Sequence, residues 1–373
     1  MSVVSIIGCG FVADLYMKSF QSFPECRVCA VFDQDADRAK AFGAYWSVPV
    51  AATWEEIVQM QPEGGLVLNL TNPSAHYEVT RRALEAGFHV YSEKPLATQM
   101  SHAMELHELA KVSGLMLSSA PCSVLGETAQ TLMQAVRAEV AGKPRLVYAE
   151  LDDGFIPQAP YRDWRGVSGA PWPFQNEMQV GCTIEHAGYY LTWLIAIFGS
   201  VQRVVAASSH LLPDLLPENS APDMSVAVLF FENGVVARLT CSIVAPHDHS
   251  LQVVGDQGVL RVKRAWDNGA PVRFHKRLRI RRRLLEHPIG KRQRLTVASP
   301  PNVKRTGAAS MNFALGPMEM LNALEKKRPN RLSPDFALHL NEVTLAVHHA
   351  GHDNGIQTMQ TRCQRMELLP WAN

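Results

Sequence analysis

The sequence predicts an α/β chain in two parts. Residues 1–121 read as a parallel sheet alternating with helices, and residues 122–373 as an α+β part with a large, mostly antiparallel open sheet. Three observations predict this. Short, continuous apolar runs alternate with helical patterns as far as residue 121, as βαβ units require. Longer strand-like runs follow after residue 200, several joined by hairpin-type turns such as Glu232-Asn233-Gly234 and Gly255-Asp256-Gln257-Gly258. Finally, 373 residues exceed the roughly 250–300 that one core sustains.

The elements follow in order. Residues 3–7 form a first strand, broken by Gly8-Cys9-Gly10, and Val12, Leu15, Tyr16 and Phe20 then recur at near-helical spacing. Residues 26–32 are a second strand that ends at Asp33, and residues 35–43 and 54–60 are helical. The strand at 66–70 stops at Thr71-Asn72-Pro73, and the helix at 75–86 closes on Gly87, a good C-cap. A strand at 88–92 runs into Glu93-Lys94-Pro95, followed by a helix at 100–113 and a strand at 115–119. Continuous apolar strands of this kind fit a sheet covered on both faces. In the second part a helix at 126–141 and a strand at 146–151 precede a Pro-, Gly- and Trp-rich segment at 154–179. A strongly apolar helix at 184–198 ends at Gly199. Strands at 202–208, 225–231, 235–242, 250–254 and 259–262 and helices at 312–326 and 335–350 complete the chain.

Composition narrows the function classes. Apolar residues make up 47% and charged residues 19%, with a formal net charge of +1. Nothing in that balance drives binding to nucleic acid or to a membrane surface. The seven cysteines are scattered and odd in number, which reads as free thiols in a reducing compartment. Cys26 and Cys29 have CxxC spacing but enter a strand and lack a second pair. The N-terminus has no signal-peptide pattern, and no apolar run approaches the roughly 20 residues of a membrane span. A cytoplasmic protein is expected.

Four motifs carry chemistry. Gly8-Cys9-Gly10-Phe11-Val12-Ala13 is a GxGxxA between a strand and a helix. There Gly8 permits the tight turn, Gly10 admits a pyrophosphate to the backbone, and Ala13 lets helix and strand pack closely. The helix N-terminus offers free N–H groups to phosphate. Asp33 follows Gly10 by 23 positions (33 − 10), close to the ~20 expected of an acid that binds the adenosine ribose. A carboxylate there repels a 2′-phosphate, so NAD is favoured over NADP, with Arg38 nearby as the counter-indication. Thr71, Asn72, Pro73 and His76 lie at the end of the next long strand, where ligands of open α/β sheets bind. Glu93 and Lys94 occupy the same edge, and a lysine aimed into that crevice suits general acid–base work on a hydroxyl or ketone.

Together these residues resemble the Gfo/Idh/MocA family of glucose–fructose oxidoreductase and inositol dehydrogenase-like proteins. The most specific run is Ala86-Gly87-Phe88-His89-Val90-Tyr91-Ser92-Glu93-Lys94-Pro95-Leu96-Ala97, close to the family's AGKHVxxEKPLA. The resemblance is dense over residues 1–121 and looser through 250–262 and 335–350. It implies an N-terminal Rossmann domain (1–121), a C-terminal domain for substrate and oligomer contacts (122–373), and a homodimer or homotetramer. A cis Lys94-Pro95 peptide is implied as well, with hydride transfer between a nicotinamide and a carbon of a sugar, sugar nucleotide or cyclitol.

One region departs from the pattern. Many relatives carry DxGxHxxD at the start of a C-domain helix. Here that register places Glu185 on the first acid, Ala187 on the glycine, Tyr189 on the histidine and Thr192 on the last acid. Tyr189, Tyr190 or His186 is therefore the expected second proton-handling group beside Lys94, unless these aromatics simply pack the helix against the sheet. Trp164-Arg165 resembles a pair that relatives place near the nicotinamide, although it could equally anchor a loop. The altered motif also leaves room for a non-catalytic, cofactor-binding sensor. The basic run over residues 275–295 reads as a solvated face, with phosphate or acidic-lipid binding as the sharper alternative. His247-Asp248-His249 suggests a metal but shows no third ligand, so no metal is expected.

Overall fold

The structure, a computed structural model, describes residues 2–119, 121–295, 310–350 and 355–373. Its first sheet contains β1 (Ser2–Ile7), β2 (Cys26–Phe32), β3 (Leu66–Asn69), β4 (His89–Ser92) and β5 (Leu117–Ser119). They lie in the order β2-β1-β3-β4-β5, and every pairing is parallel. The intervening helices are α1 (Phe11–Phe20), α2 (Ala36–Trp46), α3 (Trp54–Met60), α4 (His76–Glu85) and α5 (Met100–Val112). Alternation along the strands splits the core. Val4, Ile6, Leu66 and Leu68 pack with Tyr16 and Phe42 on one face. Ile7, Val67 and Val90 pack with Leu84 and Leu106 on the other. Both faces are thus buried, which explains why the strands read as unbroken apolar runs. Strand order reverses between β1 and β3, so their carboxyl ends open onto a crevice.

The second part begins with α6 (Glu127–Arg137), β6 (Pro144–Asp152), α7 (Phe174–Val180) and α8 (Gly188–Phe198). Strands β7 (Val201–Ser209), β8 (Met224–Phe231), β9 (Val236–Ser242), β10 (Leu251–Gly255) and β11 (Gly258–Val262) follow. Then come β12 (Arg273–Ile280), β13 (Arg283–Glu286) and β14 (Lys291–Arg292), α9 (Leu315–Glu325), α10 (Pro334–His348) and β15 (Ile356–Thr358). The sheet runs β13-β12-β11-β10-β6-β9-β8-β7-β15, with β14 beside β12. Among the described residues, only the β6–β9 pairing of this sheet is parallel. The predicted fold class is the one observed: an α/β Rossmann part and an α+β part with a large, mostly antiparallel sheet. Helix α8, buried along nearly its whole length, covers one sheet face.

Three features went unread in the sequence. Strands β12 and β13 are half-exposed or exposed and dense in arginine, so they carry no apolar alternation. Helix α7 sits inside the expected irregular segment. The chain's closing part also returns to the first sheet: Ala337 and Leu338 of α10 share a core with Leu84, Val90 and Leu106. Asn341 Oδ1 accepts from the Ala97 amide at 3.1 Å. Among the described residues no helix is long and apolar enough to cross a membrane.

Candidate active site

A cavity of about 560 Å³ opens at the carboxyl edge of the first sheet and is closed from above by the second part. Its dinucleotide side is built by the glycine loop. Gly8 sits at φ +96°, and a Cβ there would meet the Leu70 carbonyl at 2.7 Å, so both backbone and space demand glycine. Gly10 precedes α1, and a Cβ on it would have no neighbour within 4 Å. That open approach to a helix N-terminus is the shape a pyrophosphate needs. Ala13 is fully buried against the strands. Phe11, Val12, Asn72 and Pro73 line the cavity.

Asp33 holds the loop in place. Its Oδ2 accepts from the Cys9 amide at 2.8 Å and its Oδ1 from the Asp35 amide at 2.9 Å. Arg38 Nη1 lies 3.4 Å from both oxygens, at the cavity wall. A second acid on α1, Asp14, is 1% exposed. It accepts from Trp46 Nε1 at 2.7 Å and from the Ser168 amide and hydroxyl, each at 3.0 Å. The Pro- and Gly-rich segment is thereby tied down over the glycine loop. The donors, the open glycine and the ribose-side acid fit a bound NAD(P).

A cluster of largely buried ionisable side chains lies where β4 ends. The Lys94-Pro95 peptide is cis. Lys94 Nζ stands 2.5 Å from Glu185 Oε2, and both side chains are largely buried, at 12% and 7% exposure. Burial alone would draw the Lys94 ammonium down, but the Glu185 carboxylate, helped by Glu177 and Glu93, holds it above its usual value. Burial pushes Glu185 up in turn, and Lys94 more than offsets it, so this carboxyl is held down. Glu177 behaves oppositely: burial and the Glu185 charge drive it well above the carboxylate range. Within the trio the Lys94 ammonium and the Glu185 carboxylate thus stabilise each other's charge, while Glu177 resists ionisation.

Neighbours fix this geometry. Glu93 Oε1 accepts from the Tyr16 hydroxyl at 2.6 Å, and its Oε2 accepts from the Lys94 amide at 3.1 Å. His76 is fully buried, with Nδ1 2.6 Å from the Pro95 carbonyl and Nε2 2.9 Å from the Thr71 carbonyl. It bridges the two strand ends. The Thr71 hydroxyl donates to Asn69 Oδ1 at 2.6 Å.

A wide, π-type turn at Thr183–Ala187 delivers Glu185 and His186 into the cavity ahead of α8. Tyr189, four residues after Glu185, shares its face, and Lys94 Nζ is 5.9 Å from the Tyr189 ring centre. Trp266 packs at 4.8 Å from Tyr189, 5.9 Å from His186 and 4.3 Å from His249.

Two family models match this chain. Residues 3–120 fit an oxidoreductase family with an NAD-binding Rossmann fold, and residues 129–261 fit the GFO/IDH/MocA C-terminal domain. The chain belongs to the Gfo/Idh/MocA family of oxidoreductases. It is 24% identical over 267 residues to trans-1,2-dihydrobenzene-1,2-diol dehydrogenase of Mus musculus, covering 70% of this chain and 74% of that protein. Among solved structures, it superposes on the WlbA dehydrogenase of Bordetella pertussis, in complex with NADH and UDP-GlcNAcA, with a TM-score of 0.74. That match has 16% identity and spans 96% of this chain and 98% of the other. A 3-ketoreductase from Actinomadura kijaniata, in complex with TDP-benzene and NADP, gives a TM-score of 0.70 at 20% identity, over 94% of this chain and 98% of that one. Gfo/Idh/MocA relatives of this chain are dehydrogenases and reductases, and the chain is an NAD(P)-binding oxidoreductase.

Within this Gfo/Idh/MocA frame, the residues singled out from sequence fall into two groups. Lys94, Glu185, His186, Tyr189, Glu93, His76 and Trp164 all line the one cavity. Tyr190 turns away from it: the residue is 2% exposed and packs in the main core. Arg165 is exposed, and its Nη1 donates to the Arg162 and Trp164 carbonyls at 2.8 and 2.9 Å. None of residues 275–295 lines the cavity; Arg277, for example, donates to the Gly255 and Asp256 carbonyls. Sequence reading missed Glu177, Tyr16, Asp14, Trp266 and Asp153. Tyr16 read as a core position of α1, and only its partner Glu93, 77 residues away, reveals the role of its hydroxyl. Glu177 carried no signal, because α7 was not expected.

Proposed function

We propose that this protein transfers a hydride between NAD and a hydroxyl- or ketone-bearing carbon of a sugar, sugar nucleotide or cyclitol. Residues 1–121 form the cofactor half and residues 122–373 the substrate half in this reading. The observation that carries it is the buried Lys94–Glu185 pair at 2.5 Å, in the same cavity as Gly10 and Arg38. When bound, the nicotinamide supplies or takes the hydride. Lys94, held charged by Glu185, is set to donate a proton from Nζ to a developing alkoxide, which favours ketone reduction. For alcohol oxidation, Glu185 is the adjacent group that can take the proton Lys94 must first lose. Tyr189 and His186, at the same wall, are the candidates to relay it. Gly8, Gly10, Phe11, Val12 and Ala13 form the pyrophosphate turn, and Asp33 takes the ribose hydroxyls, which supports NAD over NADP.

Small cyclic diols are a second substrate class. Trp164, Trp172, Trp266 and Tyr189 give the cavity an aromatic lining, and the mouse relative bears the name of a cyclic diol dehydrogenase. A homodimer or homotetramer also belongs to this reading. The outward side of the second sheet carries half-exposed Tyr148, Val226, Val228 and Phe230, with Arg238 over the Tyr148 ring and Arg203 over Phe230, a mixed face suited to burial against a second copy.

The test is turnover of a panel of sugars, nucleotide sugars, cyclitols and cyclic diols, followed at the reduced-nicotinamide absorbance band. Lys94→Met should lower turnover by about 10³-fold, within the usual range for losing an acid–base group, with NAD(H) affinity nearly unchanged. Wild-type turnover in that variant would overturn the assignment.

A further inference from the structure

We propose that Asp153, His247 and His249 form a site for a divalent transition metal of the zinc class on the substrate-side wall of the cavity, beside His186. The topology brings these residues together. Strands β6 and β10 run antiparallel, with Ala149 opposite Leu251, and a further bridge joins Asp152 to Asp248. The end of β6 therefore faces the residues entering β10, although about 95 positions separate them in sequence. The ligand missing beside His247-Asp248-His249 in the sequence is Asp153.

The geometry is close to that of a bound ion. One ligand atom from each of the three residues lies within 4.8 Å of the other two. Asp153 Oδ1 is 3.3 Å from His249 Nε2 and 3.9 Å from His247 Nε2, and Asp153 Oδ2 is 3.8 Å from His186 Nδ1. Donors held tetrahedrally at about 2.0–2.1 Å from zinc stand roughly 3.3 Å apart. Small side-chain shifts would close the cluster.

An independent observation points to a ligand. The buried Nδ1 of His186 has no hydrogen-bond partner, Asp153 Oδ2 lying 3.8 Å away, while His249, 3% exposed, meets Asp153 through Nε2 at 3.3 Å. Buried imidazole nitrogens are normally satisfied, and a bound ion is one standard reason for an exception. Two imidazoles and one carboxylate select zinc, cobalt or nickel over magnesium or calcium, which prefer all-oxygen shells. Three protein donors also leave a coordination position open, the hallmark of a working rather than a purely structural zinc. Asp153 and His186 line the cavity, so that position faces the substrate space and would accept an oxygen donor such as a hydroxyl pair or a carboxylate.

The test reads metal directly and needs no turnover, so its failure leaves the oxidoreductase reading standing. Chelator-stripped full-length protein is titrated with Co²⁺ and, against a chromophoric chelator, with Zn²⁺. One saturable equivalent is expected, with visible ligand-field bands from cobalt in a nitrogen–oxygen site. His249→Gln and the exposed-ligand variant His247→Ala should each weaken binding beyond the roughly 10–100-fold typical of losing an outer-shell group. NAD(H) binding in both variants verifies the fold. No saturable equivalent in the wild type, or wild-type affinity in both variants, overturns the proposal and leaves Asp153 as a simple hydrogen-bonding partner of the imidazoles.

Discussion

Tyr16 and Glu93 meet at 2.6 Å, joining the helix that follows the glycine loop to the residue just before Lys94. Glu93 uses one oxygen for that phenol and the other for the Lys94 amide. The helix that follows the glycine loop and the Lys94 backbone are thereby held in one frame. Tyr16→Phe removes a hydrogen bond to a charged group, worth about 1.5–3 kcal/mol. We expect kcat to fall by about tenfold or more, as that energy converts at ~1.4 kcal/mol per decade, with KM for NAD little changed. Steady-state kinetics beside a melting curve checks this. Lost stability with an unchanged kcat would reduce Tyr16 to a packing residue.

Glu177 predicts an alkaline weakness. Its carboxyl is raised well above the ordinary 4.5, first by burial and then by Glu185. The native state therefore binds a proton that the unfolded chain has released, from about pH 4.5 upwards. The stability this contributes is complete below the unfolded value and is lost as pH rises through the folded one. Glu177→Gln imitates the protonated form and removes that loss. The melting temperature of the variant relative to wild type should rise as pH climbs above about 4.5. Parallel curves would contradict a raised Glu177 carboxyl.

His339 predicts the opposite behaviour in acid. It is fully buried and accepts from the Val201 amide through Nε2 at 2.9 Å, while Nδ1 lies 2.9 Å from the Thr361 hydroxyl. Burial lowers it from 6.5 to about 4. Its stabilising contribution is complete above the unfolded value and is lost as pH falls from about 6.5 toward 4. A drop of that size corresponds to roughly 3 kcal/mol. Denaturant titrations at pH 7 and pH 4.5 should show a smaller difference for His339→Gln than for wild type. His348, also lowered to about 4, supplies a residual slope.

In the proposed reading, cofactor choice rests on Asp33 and Arg38. With the carboxylate gone, Arg38 is released from its 3.4 Å ion pair and can meet a 2′-phosphate. Asp33→Ser should raise the ratio of kcat/KM for NADP over NAD by at least about tenfold, or ~1.4 kcal/mol. A ratio that stays at the wild-type value would place the discrimination elsewhere.

The first sheet was legible because its strands are buried on both faces and its turns carry glycines; the predicted strand at 26–32 and helix at 54–60 match β2 and α3 to the residue. Lys94 and Asp33 were legible because motif position alone fixes their edge of the sheet. Tyr189 and Tyr190 could not be separated in sequence. They are adjacent, and the π-type turn at Thr183–Ala187 decides which of them faces Lys94 and which the core. Strands β12 and β13 hid because exposed arginines replace the apolar alternation that marks a half-buried strand. Asp153 hid because its partners arrive through sheet pairing, which no local pattern records.

Helix α10 bears on modularity. Its Ala337 and Leu338 complete the core beneath the first sheet, Asn341 receives the Ala97 amide, and Ser118 donates to the Leu332 carbonyl just ahead of it. On its far side His339 receives the Val201 amide from β7. The nucleotide-binding half is therefore not a cassette that ends with its last strand. Cut at residue 121, it would present Leu84, Leu106 and their neighbours to water. A chimera that grafts this cofactor site onto another substrate half must bring α10 with it, or supply a helix with the same two-sided fit.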